Sequence, residues 1–348
     1  MNKIFYGLLL IYFATISFAT FAQDKAKTLY FRKILVNSKN EIQGQFPIAD
    51  SIANHSVCYH FTYDKKGRIQ WIKYIRKHRM SLPDPCFGVA MIQITYNEEN
   101  NVETRNFLDE KEHPIMNLNN IYYVRIKYDS KHFSIAQFNY NKHGFLSPDI
   151  NGVYQYLWEN DEQGRRIRSL RFNDKGQRIT DNKGIYEVSY KYNEKNNLTE
   201  FSIYGTDGLL SENTLGYAIA KYKYDVQGNE IELSFFGKDG ILKSNINHYA
   251  IMRWTYDSNG NKTSEKYFDA NERLIETSDM YASTEWQYDA SGTMIEEAHY
   301  GIYHQLREYN GAAVIKWGYN DDGIISETSY GTDGLPKKEN ENGIIKVR

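Results

Sequence analysis

From residue 61 onward, large and polar side chains alternate in short runs that return about every 32 residues. One anchor position sets the register. It is occupied in turn by Tyr63, Tyr96, Tyr128, Asn160, Tyr192, Tyr224, Tyr256, Tyr288 and Tyr319, at spacings of 33, 32, 32, 32, 32, 32, 32 and 31. Two places earlier stand Phe61, Ile94, Ile126, Trp158, Tyr190, Tyr222, Trp254, Trp286 and Trp317, and the residue between is polar or small. Large, polar, large is a period of two, the mark of a strand with one buried face. Helical repeats of similar length need a 3.6-residue period, which this chain lacks.

The residues after the anchor predict how that strand ends. Asp64, Asp129, Asp161, Asp225, Asp257 and Asp289 follow it, and three places later come Gly67, Gly164, Gly228, Gly260 and Gly292, with His132, Asn196 and Asn100 as substitutes. An Asp side chain accepts from the backbone two residues on, and Gly supplies the positive φ of a tight hairpin turn. A returning strand such as Glu230 to Phe235 alternates polar with apolar and closes on an aromatic residue. A second turn then follows, as in Gly237-Lys238-Asp239-Gly240. Pro83, Pro85, Pro114, Pro148 and Pro336 lie 17 to 22 residues after their anchors, so that part of each unit is expected to be a short edge strand or loop. A Tyr-Ala return such as Gly216-Tyr217-Ala218 leads into the next copy.

The predicted fold is all-β: a tandem β-hairpin repeat array forming one elongated, twisted antiparallel sheet or superhelix. Residues 61–348 form nine repeats, and residues 23–60 form an N-terminal cap or degenerate repeat that covers the open end. Residues 1–22 read as a signal peptide, with Lys3, an apolar run from Leu8 to Phe13, and small residues at Thr20 and Ala22 before the cleavage point. The expected location is therefore exported: periplasmic, cell-surface or secreted. No membrane span is expected after signal cleavage.

The units Tyr224-Asp225-Val226-Gln227-Gly228-Asn229, Tyr256-Asp257-Ser258-Asn259-Gly260-Asn261 and Tyr288-Asp289-Ala290-Ser291-Gly292 resemble the YD repeats of the Rhs family, and the likeness recurs from about residue 61 to the end. The repeat here, about 32 residues, is longer than that family's. The resemblance implies β-hairpin sheets that can curl into shells, and an extracytoplasmic setting.

Composition narrows the function without naming it. Thirty tyrosines, and 42 basic against 44 acidic residues, suit a sheet with one aromatic and one charged face and argue against nucleic-acid binding. Cys58 and Cys86 are the only cysteines, and an exported setting makes a disulfide between them the expected pairing, with free buried thiols as the alternative. The nine histidines show no metal-ligand spacing, and no cofactor is expected. Glu296, Glu297 and His299 are the densest acid and imidazole group. However, Glu103, Glu200, Glu232 and Glu327 recur at nearly the same repeat position, so a ladder facing Lys127, Lys191 and Lys223 is the preferred reading. The basic run Arg76-Lys77-His78-Arg79 and the acidic late repeats suggest a head that meets an acidic partner.

The chain is accordingly expected not to be an enzyme but a binding or scaffold module for a protein or glycan partner. An enzyme acting on extracellular polymers is the alternative. Out-of-register rings such as Tyr303, Tyr309 and Trp71 are the candidates for contacting a glycan.

Overall fold

The computed structural model describes residues 27–77, 79–80, 84–320 and 323–337. The expected signal peptide lies outside them. Among the described residues there are 21 strands and one short helix, α1 (Asp50–Ala53). The first strands are β1 (Thr28–Val36), β2 (Ile42–Ile48), β3 (Val57–Tyr63), β4 (Ile69–Arg76), β5 (Arg79–Met80), β6 (Met91–Asn97) and β7 (Val102–Leu108). Fourteen more continue the series, from β8 (Tyr123–Tyr128) to β21 (Gly323–Tyr330).

All pairings are antiparallel. β1 lies between β2 and β3, β4 pairs with β3, β5 and β6, and from β6 onward each strand pairs with the next. The result is one open sheet, a meander of hairpins as the repeat predicted. Pro47 sits in β2, which pairs only with β1 among the described residues, an edge position of the kind to which proline is confined.

Each first turn is built as its residues dictate. In the seventh copy Asp257 Oδ1 accepts from the Asn259 and Asn261 amides at 2.9 and 2.8 Å, and Gly260 has φ 79°. A register shift between Thr255 and Tyr256 places the anchor at a β-bulge. The second copy departs from this: its pairing runs unbroken to Asn97↔Val102, and the positive φ falls on Asn101 rather than Asn100.

The anchor links one repeat to the last. Tyr192, Tyr256 and Tyr288 donate their hydroxyls to the carbonyls of Arg166, Glu230 and Lys262, each 26 residues earlier, at 2.7, 2.7 and 2.8 Å. Asn160, the one non-tyrosine anchor, makes the equivalent bond through its amide, Nδ2 to Ser134 O at 2.8 Å.

A third turn, in the part of each unit expected to be edge strand or loop, repeats the same chemistry. Asp149 Oδ1 accepts from the Asn151 and Val153 amides, and Asp181 and Asn213 do likewise. These turns stack: Asn182 N, Thr214 N and Ile246 N donate to Asn151 O, Lys183 O and Leu215 O at 2.8, 2.8 and 2.9 Å. Where an edge strand was possible, a single bridge such as Phe236↔Leu242 is found.

Period two divides the sheet faces. Phe61, Ile94, Ile126, Trp158 and Trp254, two places before their anchors, are buried on the inner face. The outer face carries cross-strand ion pairs such as Lys191–Glu200 and Lys223–Glu232, both at 2.7 Å. Glu103 does not join them. It lies one residue nearer its anchor than Glu200 and Glu232, and one step along a strand reverses the face. It is buried inside, paired with Arg105 at 2.5 Å and accepting from Tyr128 Oη at 2.9 Å.

Candidate binding cleft inside the curled sheet

The expected cap is more than an end cover. The tip of the β1–β2 hairpin reaches copies two to four: Arg105 Nη2 donates to Asn40 O at 2.6 Å, Ser134 Oγ to Lys39 O at 2.9 Å, and Arg166 N to Ser38 O at 2.9 Å. Its middle meets copies six and seven, with Lys33 Nζ 3.5 Å from Asn229 Oδ1 and 4.7 Å from the Tyr256 ring centroid. Beyond the hairpin, Val57 N at the start of β3 donates to Ser291 O of copy eight at 3.3 Å, and Arg76 at the end of β4 stands over Tyr319 of copy nine at 4.2 Å. The sheet therefore wraps around its own first hairpin, although no strand pairing among the described residues closes the ring.

The two sides of this curl differ. Against copies one to four the hairpin supplies Phe31, Ile34 and Ile42 to a continuous apolar core with Phe61, Ile94, Ile126 and Trp158. The core under copies five to seven, formed by Ile203, Ala220, Phe235 and their neighbours, has no hairpin residue in it. On that side a cleft of about 360 Å³ opens between Phe46 and the residues Asp225, Gln227, Asn229, Trp254, Tyr256 and Asp257.

Phe46 has φ 53°, a left-handed conformation that costs a bulky residue strain. Its ring rests on Gly260, where a Cβ would stand 2.7 Å from ring carbons, so glycine there serves both the turn and the docking. Trp254 Nε1 donates to Glu265 Oε2 at 2.5 Å, and Trp286 makes the same bond to Glu297 at 2.9 Å. Glu230 lies on the lumenal side of the returning strand, where burial pushes its carboxyl up to about 7 while Lys262 pulls it down. Burial holds the Lys33 ammonium below its ordinary value, opposed by the charge of Asp257.

Other candidates from the sequence are placed apart. Tyr63, Tyr96, Tyr128, Tyr192, Tyr224, Tyr256, Tyr288 and Tyr319 are half-buried. Of these, Tyr256 lines the cleft. Tyr303 is 85% exposed on a second turn. Tyr309 is not a free ring, because it packs on Tyr281 and His299 at 5.0 and 5.2 Å, ending an aromatic column that runs through Tyr217, Phe235, Tyr249 and Tyr267. Trp71 is half-buried against Ala90, Met91 and Leu108.

Glu296 and Glu297 are neighbours on a strand and so split between the faces. Glu296 pairs with Lys316 at 2.8 Å, and Glu297 meets buried His299 at 3.2 Å. Glu327 bonds the Trp317 indole, because the last hairpin is paired one residue shorter. The basic run does not present itself whole to a partner, since Arg76 is buried within the chain against Tyr319.

The expected disulfide is absent. Cys58 and Cys86 are both free, and only Cys58 is buried; Cys86 is exposed, so the alternative of two buried thiols holds for one of them. Successive strand residues point to opposite faces: Cys58 packs outward with Ala53 and Ile75, whereas Cys86 Sγ accepts from the hydroxyl of the next residue, Tyr59, at 3.8 Å on the inner side. Burial pushes the Cys58 thiol up to about 12. Among the described residues no three His, Cys, Asp or Glu side chains come together as a metal site.

No protein-family model matches this chain, and no curated protein matches it. Among solved structures it is similar to a crystal structure of TcdB2-TccC3-TEV, at 10% identity and a TM-score of 0.36 over 83% of this chain. A TcdB2-TccC3 structure without its hypervariable C-terminal region matches over 83% at 12% identity and a TM-score of 0.35. The chain spans 14% of the length of each of these. A porin-like protein from Bacteroides uniformis matches at 8% identity and a TM-score of 0.22, over 87% of this chain and 93% of that one. The repeat architecture rests on the strand register described above. No helix among the described residues is long and apolar enough to cross a membrane.

Proposed function

We propose that this chain is a non-catalytic, exported binding module that takes a carbohydrate segment in the cleft between its first hairpin and copies six and seven. The observation that carries this reading is Phe46, held at φ 53° with its ring lining that cleft. Strain of this kind persists where the surrounding structure enforces it, and such sites cluster at ligand clamps. The lining combines the aromatic residues Phe46, Trp254 and Tyr256 with the Gln227 amide and with the Asp225 carboxylate and Asn229 amide, which also bond each other across their turn. Flat apolar faces beside planar acceptors suit the two sides of a sugar ring.

A protein partner is the second reading, favoured by the opposite rim. There Phe145, Leu209, Ile241 and Leu335 occupy nearly the same position of the second turn in four copies and are 63 to 69% exposed. A polysaccharide array probed with residues 23–348 and with Phe46→Gly separates the two. Glycan retention by the parent and its loss in the variant support the cleft, since Gly tolerates the φ of this β2 position and removes only the ring. No glycan retained, together with a protein whose capture is lost on Ile241→Asp, would sink the sugar reading and favour the rim.

A further inference from the structure

The strongest unexplained polar group in the molecule lies across the lumen from the cleft, where the hairpin tip meets copy four. Arg166 occupies the sixth position after its anchor, which is Ser134, Leu198, Glu230, Lys262 and Met294 in neighbouring copies. Glu230 and Lys262 sit one repeat apart and oppose each other's charge. Arg166 is half-buried and has no ion-pair partner among the described residues; the Tyr190 hydroxyl bonds its side chain, but its Nε and Nη2 are closed off from solvent with no hydrogen-bond acceptor. Its guanidinium carbon stands over Trp158, 3.7 Å from the ring centroid.

The groups around it share one bias. Trp158 Nε1 and Asn40 Nδ2 are also buried and unbonded, so with Arg166 Nε and Nη2 four donor atoms are unused against one acceptor, Asn160 Oδ1. Arg105 brings a second guanidinium, but Glu103 and the Asn40 carbonyl already engage it. Arg166 is held below the ordinary arginine value by burial, with the charge of Arg105 adding to the effect and the hydroxyls of Tyr190 and Tyr192 opposing it. Buried cations are ordinarily paired, and buried donors are ordinarily satisfied. An excess of donors around a guanidinium that has no carboxylate partner is the complement of a small oxyanion, which accepts at several oxygens and carries the missing charge.

We propose that Arg166, Trp158 and Asn40 form a binding site for an oxyanion (carboxylate, sulfate or phosphate) at the tip of the first hairpin. Because Ser38, Lys39 and Asn40 close over this site, the anion would fasten the hairpin to copies two to four. The site is separate from the cleft and does not depend on the sugar reading.

The test is calorimetric titration of the full chain with acetate, sulfate and inorganic phosphate at constant ionic strength, alongside thermal unfolding, for the parent and for Arg166→Met. The parent is expected to show saturable binding of at least one anion and a midpoint that rises with its concentration, as ligand linkage requires. Arg166→Met, which replaces the buried charge by an apolar chain of similar length, is expected to lose both responses. Should that variant not fold, Trp158→Phe keeps the stacking ring and removes one donor, and about tenfold weaker binding is expected, the equivalent of one hydrogen bond. No saturable binding of any of the three anions by the parent, or equal binding by parent and variants, would overturn the proposal. Which anion binds most tightly identifies the source class.

Discussion

At the scale of the residue, identity matters most where the sheet turns a polar group inward. Glu230 is such a residue: burial raises its carboxyl from the ordinary 4.5 to about 7. Below pH 4.5 the group is neutral in both folded and unfolded chains. Between 4.5 and 7 the folded chain holds a proton that the unfolded chain releases, so stability falls as pH rises, and above 7 the full penalty is present. Glu230→Gln, which stays neutral, is expected to match the parent near pH 4.5 and to exceed it by about 1 to 3 kcal/mol at pH 8, allowing for partial exposure. Urea unfolding at the two pH values checks this, and an unchanged difference between them would remove Glu230 from the account.

At the scale of the element, a repeat is held to its neighbour by three kinds of contact: strand pairing, the stacked third turns, and the anchor hydroxyl. The last is the most separable. Tyr256→Phe keeps the ring and deletes the bond to Glu230 O, and is expected to cost about 1 kcal/mol. Lys223→Ala removes an exposed ion pair with Glu232 on the outer face, and the expected cost is smaller, about 0 to 0.5 kcal/mol. Chemical denaturation of both variants compares them, and equal costs would mean that the anchor is not an inter-repeat bond. The anchor and first turn were legible because their period is long, broken only by Asn160 for Tyr and by Asn97, Asn193 and Asn320 for Asp. The third turn was legible too, as Asp149-Ile150-Asn151-Gly152 and Asp181-Asn182-Lys183-Gly184, but its substitutes, Asn245 with His248 and Thr277 with Met280, blur the pattern.

At the scale of the whole molecule, the array is not a simple open solenoid in which each unit meets only its neighbours. Ending the chain after Lys221 removes Asn229, Tyr256 and Gly260, which hold the middle of the first hairpin, and Ser291, which holds Val57 at the start of β3. The tip contacts at Arg105, Ser134 and Arg166 remain. Residues 23–221 are therefore expected to keep their β-sheet circular dichroism, while amide exchange in Thr28–Val36 and Ile42–Ile48 accelerates at the base end relative to the tip. Complete loss of the sheet signal would show that the wrap around the hairpin, not neighbour pairing, holds the array.

The sequence by itself determined the strands, the first turns, the anchor register and the division into an aromatic inner and a charged outer face. These follow from local rules: period-two alternation, Asx and Gly turn chemistry, and the limits on proline. Contacts between residues far apart in the chain follow from no local rule. No period announces that Asn40 meets Arg105, that Phe46 lands on Gly260, or that Arg76 reaches Tyr319. Those pairings depend on how far the sheet twists over many strands, which accumulates from small rotations that no single repeat encodes. The cysteines show the same limit. Their number suggested a bond, but the face on which each thiol lies, fixed by the strand through Cys58 and Tyr59, sets them on opposite sides of the sheet.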